Sequence, residues 1–225
     1  MCGIFGVRAP DRDVARLTYF GLHALQHRGQ ESAGIAVSDG GRLTVLRELG
    51  LVTQAFTEER LQGLWGEVAI GHTRYSTTGS SHWANAQPLI QHGRARTVAL
   101  GHNGNLVNAT ELRALLDAEG VRLSSTSDTE LIAALIASDP APLEEAVADA
   151  MARLEGAYSV TALAEGTLLA FRDPHGFRPL VLGRLGDDHV ISSETCSLDL
   201  LGADFEREVG RGELLVVDEA GVDSV

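Results

Sequence analysis

Short apolar runs and longer stretches of helical spacing alternate along this chain, and together they predict its elements. Ile4, Phe5 and Val7 read as a buried strand at the N-terminus. From Asp11 to Gln26, Val14, Leu17, Leu22 and Leu25 recur at helical spacing, and the pattern stops at His27-Arg28-Gly29. A small, polar run from His27 to Gly34 predicts a loop, with Ile35-Ala36-Val37 as the next strand. Asp39-Gly40-Gly41 is a turn signal, and Leu43 to Leu46 returns as the second arm of a hairpin. A short amphipathic helix is expected from Val52 to Leu64. The strand Val68 to Gly71 is expected to give way to a polar loop, His72 to Ser81.

In the second half, Thr97 to Leu100 predicts a strand that leads into Gly101-His102-Asn103-Gly104-Asn105. Asn-Gly is a hairpin signal, yet the return segment opens a helix instead, with Asn108-Ala109-Thr110-Glu111 as a capping box. Gly120 closes that helix. Ser127 and Glu130 form a second capping box, with Asp128 at the first helical position. A third helix is predicted from Pro142 to Leu154. Four strand-like runs follow (Ala157 to Ala164, Thr167 to Phe171, Leu180 to Gly183, His189 to Ser193) and read as one antiparallel meander. A helical piece near Thr195 to Leu201 and a terminal strand and turn from Leu214 complete the pattern. Helices paired between groups of antiparallel strands predict an α+β sandwich with helices on the outer faces of two sheets. No linker or repeat divides residues 1–225, so one domain is expected.

Composition removes several classes of function. A formal net charge of -13 opposes a nucleic-acid or anionic-membrane surface, which Lys and Arg would have to supply. No apolar stretch approaches the roughly 18 residues of a membrane span, and no leader pattern opens the chain, so a cytoplasmic protein is expected. The two cysteines, Cys2 and Cys196, lack disulfide or zinc-site spacing, and no metal is expected.

Candidate chemistry begins at Cys2. If Met1 is removed, Cys2 carries thiol and α-amine on one residue, with ordinary pKa values of about 8.5 and about 8, so the amine can take the thiol proton near neutral pH. A buried apolar cysteine at a strand start is the plainer reading of this stretch alone. Arg74, just past a strand end, has the planar fork to hold a carboxylate, or it is a solvated surface arginine. The Asn103 amide and the Gly104 N–H suit an oxyanion hole, or else a hairpin corner. Asp128 is positioned to face a cationic ligand group, although the helix dipole alone favours an acid there.

Five fragments occur in a shared order: Cys2-Gly3-Ile4-Phe5-Gly6, His27 to Gly34, Gly71 to Thr77, Gly101 to Asn105 and Thr126 to Glu130. With Arg172 to Leu180 and Ser193 to Cys196, they resemble the glutaminase domain of the amidophosphoribosyltransferases, which are class II, N-terminal-nucleophile glutamine amidotransferases. The resemblance implies a four-layer αββα fold and L-glutamine as substrate. It implies Cys2 as nucleophile, Asn103 and Gly104 as oxyanion donors, and a γ-glutamyl thioester hydrolysed to glutamate. It also implies Arg74 on the glutamine α-carboxylate, Asp128 on its α-ammonium, and Tyr75 and Thr77 as further contacts in a loop from about Tyr75 to Asn85 that closes over the substrate.

In the family the ammonia passes to a phosphoribosyltransferase domain that uses phosphoribosyl pyrophosphate, with Mg2+, to begin purine synthesis. No phosphate loop of that kind follows Leu214 to Glu219, so this chain is expected to lack that domain, to need no cofactor of its own and to act alone as a glutaminase. Family members commonly assemble as homo-oligomers. The alternatives are the glutaminase half of a glucosamine-6-phosphate synthase type enzyme, which Gln30-Glu31 argues against, a non-catalytic amino-acid-binding regulatory domain, and a plain scaffold.

Overall fold

The computed structural model describes residues 1–75 and 83–225. Two antiparallel sheets lie face to face. The first, sheet A, contains β1 (Gly3–Arg8), β2 (Ser32–Ser38), β3 (Leu43–Leu49), β4 (Val68–Arg74), β9 (Val181–Leu185), β10 (Asp188–Ser192) and β11 (Asp204–Glu208). The second, sheet B, contains β5 (Leu89–His92), β6 (Thr97–Leu106), β7 (Gly156–Ala164), β8 (Thr167–Arg172), β12 (Leu214–Asp218) and β13 (Gly221–Ser224). Spatial order is β11-β9-β10-β1-β4-β2-β3 in sheet A and β13-β12-β8-β7-β6-β5 in sheet B.

Alternate side chains of each inner strand serve two different cores. On β1, Phe5 and Val7 face α1 (Val14–Ala24), α2 (Val52–Ala55), α3 (Glu58–Gln62) and α7 (Cys196–Leu201), while Ile4 faces sheet B. On β6, Val98 and Leu100 face α4 (Ala109–Ala118), α5 (Asp128–Ser138) and α6 (Leu143–Arg153), while Ala99 faces sheet A. Three apolar layers thus hold four layers of structure in the order helices, sheet, sheet, helices. This is the expected αββα sandwich; a strand covered on both faces shows runs of apolar residues rather than clean alternation.

Several predicted elements differ. The helix expected from Val52 to Leu64 is two short helices, because Phe56 is extended and buried and the Thr57 hydroxyl accepts from the Arg60 N–H to start a new cap. Of the loop expected from His72 to Ser81, His72 to Arg74 is the rest of β4 and residues 76–81 lie outside the described residues, and the motif from Gly101 to Asn105 lies inside the ten-residue β6. The single meander is two hairpins in different sheets: β7 pairs with β8 in sheet B, and β9 with β10 in sheet A. Asp173, fully buried, turns the crossing segment by accepting from the N–H groups of Tyr158, His175 and Phe177. β5, β11 and β13 were not expected. β11 is exposed and charged along its length, as suits a sheet edge.

Neither capping box has the expected pairing. The Asn108 side chain is used across the fold, donating to the Arg153 carbonyl at 2.8 Å and accepting from the Glu155 N–H at 3.2 Å. Ser127 does cap α5, accepting from the Thr129 N–H, but Glu130 turns back to accept from the backbone and hydroxyl groups of Ser124 and Ser125.

Candidate active site

The N-terminal strand is held from both sides. β1 lies between β10 and β4, with Gly3 opposite Thr73, so Cys2 and Arg74 occupy adjoining ends of neighbouring strands. The Ile4 N–H donates to the Ser193 hydroxyl at 3.0 Å, and the Ser193 N–H donates back to the Ile4 carbonyl at 3.0 Å. The Cys2 carbonyl accepts from Arg28 Nε at 2.9 Å. Arg28 is buried and paired with Glu194, whose other oxygen contacts His27 Nε2 at 2.8 Å. The loop from His27 reaches this point because Gly29 presses on β4: a Cβ there would lie 2.6 Å from the Thr73 and Arg74 backbone. At the far end of the loop, Glu31 accepts from Arg74 Nη1 at 3.0 Å.

Across from this strand end, β6 outruns its neighbour. β5 pairs only with Thr97 to Leu100, so the β5-facing edge of β6 is uncovered beyond that point. Side chains complete it. The His102 N–H donates to Gln87 Oε1 at 2.8 Å, the His102 carbonyl accepts from His72 Nε2 at 3.1 Å, and the Leu106 N–H donates to Asp128 Oδ2 at 3.0 Å. Backbone groups alternate direction along a strand, so the Gly104 N–H, midway between His102 and Leu106, points to the same open side. The backbone of its β7 partner Tyr158 is bonded instead to Asp173, consistent with that direction. Gly104 is required sterically, since a Cβ would lie 1.9 Å from the Ala157 carbonyl oxygen. Beside it, Asn103 is buried and its Nδ2 donor has no partner among the described residues. A buried donor left unpaired costs about 1–3 kcal/mol and calls for a functional explanation.

Asp128 begins α5, as expected. Burial acts to raise its pKa, but the His102 ring and the N–H groups of Leu106 and Thr129 outweigh burial and leave it below the usual carboxylate value. It is therefore an anion at neutral pH. Cys2, Arg74, Tyr75, Gly104, Arg113 and Asp128 all line one cavity of about 400 Å³. The cavity thus has a thiol and a guanidinium from sheet A, and a strand-edge N–H and a carboxylate from sheet B and its helix. Burial pushes the Cys2 thiol up, with Arg74 and Arg28 pulling the other way, and its Sγ lies 3.7 Å from the Tyr75 carbonyl. Thr77, and most of the loop expected to close over the substrate, lie outside the described residues.

Sequence patterns singled out the ends of this cavity but not its supports. Arg28, Glu31, His72 and Glu194 entered only as members of the shared fragments, and Gln87 carried no local signal. The fold also gathers one set of metal-type donors that spacing does not reveal: ligand atoms of His27, Glu194 and Cys196 lie within 4.8 Å of one another. The Arg28 guanidinium already occupies the second oxygen of Glu194.

The glutamine amidotransferase domain model matches residues 72–199. This chain belongs to that family. The amidotransferase domain is 52% identical over 231 residues to the amidophosphoribosyltransferase of Mycobacterium tuberculosis, covering 99% of this chain and 44% of that protein. With the amidophosphoribosyltransferase of Synechococcus elongatus it shares 50% identity over 230 residues, covering 99% and 47%. Among solved structures, the glutamine phosphoribosylpyrophosphate amidotransferase of B. subtilis, complexed with ADP and GMP, superposes with a TM-score of 0.92 at 41% identity, covering all of this chain and 49% of that one. The resemblance read from the motifs is borne out. The amidotransferase domain spans less than half the length of these relatives. Among the described residues, no helix is long and apolar enough to cross a membrane.

Proposed function

We propose that this domain hydrolyses L-glutamine to glutamate and ammonia through Cys2. The carrying observation is that Gly104, whose N–H faces outward, lines a cavity that also contains Cys2, between a cation and an anion, and that the preceding residue, Asn103, has a buried amide donor with no partner among the described residues. Free L-glutamine fits that polarity, with its α-carboxylate on Arg74, its α-ammonium on Asp128 and its side-chain amide directed to the thiol. Tyr75 and Thr77 are assigned as additional substrate contacts.

With Met1 removed, the Cys2 α-amine takes the thiol proton as Sγ bonds to the amide carbon. The oxyanion so formed accepts from Asn103 Nδ2 and the Gly104 N–H. Collapse breaks the C–N bond, the α-amine returns its proton to the departing nitrogen as ammonia, and a thioester remains. Water then attacks the thioester through a second oxyanion in the same position, releasing glutamate and restoring the thiol. Donors placed in advance at the developing charge are the largest expected contribution.

In the longer enzyme, the ammonia is proposed to replace pyrophosphate on phosphoribosyl pyrophosphate, giving 5-phosphoribosylamine for purine synthesis. That step, its Mg2+ and any homo-oligomeric assembly belong to the complete protein, with a cytoplasmic location. Support for the phosphoribosyl pyrophosphate step comes from the names and identities of the relatives.

The test combines intact mass with glutamate release from glutamine for wild type and Cys2→Ser. Loss of Met1, with activity that disappears in the variant, is the expected result. A processed N-terminus without glutamate release would leave an amino-acid-binding domain, which glutamine titration would detect.

A further inference from the structure

The nucleophile and the oxyanion donors sit on different sheets, so their alignment depends on how the sheets are tied at that point. The hydrophobic drive between the sheets is non-directional and does not by itself orient a backbone carbonyl. One directional contact lies at the critical place. His72 is on β4 directly opposite Ile4 of β1, two residues from Arg74 and two along the neighbouring strand from Cys2. Its ring crosses the inter-sheet layer to the carbonyl of His102, the residue immediately before Asn103.

We propose that His72 is a positioning residue for the oxyanion site: by tying the His102 carbonyl of β6 to β4, its ring holds Asn103 and Gly104 in register with Cys2. The inference rests on the glutaminase reading above.

A carbonyl only accepts, so His72 Nε2 carries the proton and Nδ1 is the bare nitrogen. Nδ1 has no described partner, which leaves the cross-sheet bond as the ring's one polar anchor. The ring is fully buried, and burial pulls its pKa down to about 3, so it stays neutral and keeps donating through the whole neutral range. His72 is not among the residues that line the cavity, and its lowered pKa suits a fixed donor rather than a proton carrier. The adjacent contact, His102 N–H to Gln87 Oε1, holds the same residue through the peptide that precedes it. Together they clamp the strand segment just before the oxyanion donors.

The test compares wild type, His72→Leu and His72→Gln in the full chain with Met1 removed. Leu cannot donate; the Gln amide can reach the same carbonyl. His72→Leu should lower kcat about 10²-fold, the scale of a misplaced or missing oxyanion donor, with KM nearly unchanged. His72→Gln should recover much of the loss, and iodoacetamide alkylation of Cys2, which needs no oxyanion donor, should proceed at wild-type rate in both. The Asn103 side-chain amide and Gly104 backbone amide resonances should move in His72→Leu and stay near wild type in His72→Gln. Equal losses in Leu and Gln, or a change confined to KM, would overturn the proposal.

Two readouts do not depend on turnover. If wild type releases no glutamate, the glutaminase reading fails, and unmoved Asn103 and Gly104 amides in His72→Leu would overturn the positioning role separately. If His72→Leu does not fold, 15N-histidine spectra of wild type decide: a ring protonated at Nε2 and constant from about pH 5 to 9 supports the bond, and one protonated at Nδ1 overturns it.

Discussion

Arg28 Nε donates to the Cys2 carbonyl at 2.9 Å, so a buried guanidinium anchors the strand end that carries the Cys2 thiol. Arg28→Met removes that donor and leaves Glu194 without its cation. Glu194 is partly exposed and can rehydrate, which limits the cost to the scale of a charge-assisted hydrogen bond, about 1–3 kcal/mol. Removing a cation that draws the thiol pKa down should also slow Cys2 alkylation at pH 7.5. Urea unfolding and mass-resolved alkylation measure the two effects.

Asn103→Ala separates stability from activity. The Nδ2 donor has no described partner, so the fold loses no known bond when it is removed, and the unfolding midpoint should be held or raised. Glutamate release should fall about 10²- to 10³-fold in kcat. An unfolding midpoint that drops sharply would mean that the amide has a structural partner.

Gly104→Ala should damage the fold itself. The added methyl would meet the Ala157 carbonyl oxygen, a backbone atom of the β6–β7 ladder, at 1.9 Å. Neither strand can move without breaking the register, so the expected loss is about 3 kcal/mol or more, seen as a lowered urea midpoint.

His72 makes stability depend on pH in mild acid. Its folded pKa is about 3 against an ordinary value of 6.5, so the unfolded chain binds a proton that the folded one refuses. The contribution is present above about pH 6.5 and is lost as pH falls toward 3, with a slope approaching about 1.4 kcal/mol per pH unit in the middle of that window. Urea unfolding at pH 7.5, 6 and 5 should show this slope, and His72→Gln should flatten it by one proton.

Much of the architecture was legible in the sequence because burial leaves a local mark. Ile4-Phe5, Ile35-Ala36-Val37 and Leu214 to Val217 read as strands since apolar side chains have to leave water wherever the strand ends up. Asp128 read as a helix start because the cap and dipole act within one turn. Motif order pointed to the family before any coordinates. Where polar residues line an interior, the same logic failed. His72-Thr73-Arg74 and Gly101 to Asn105 read as loops, yet they are strand, because the layer between the sheets opens there into a polar cavity and the usual link between polar and exposed is reversed.

The sequence by itself determined the strands and helices with apolar faces, the residue types at the ends of the cavity and the family. Only the tertiary structure decided which sheet each hairpin joins, that β6 outruns β5 so that the Gly104 N–H is left facing the cavity, and that the Asn103 Nδ2 donor is buried without a partner among the described residues. It also brought together partners distant in the chain, such as Arg28 with Glu194 and His72 with His102. Local pattern carries the cost of exposing each side chain to water, whereas the direction of a hydrogen bond between two sheets depends on how both have packed.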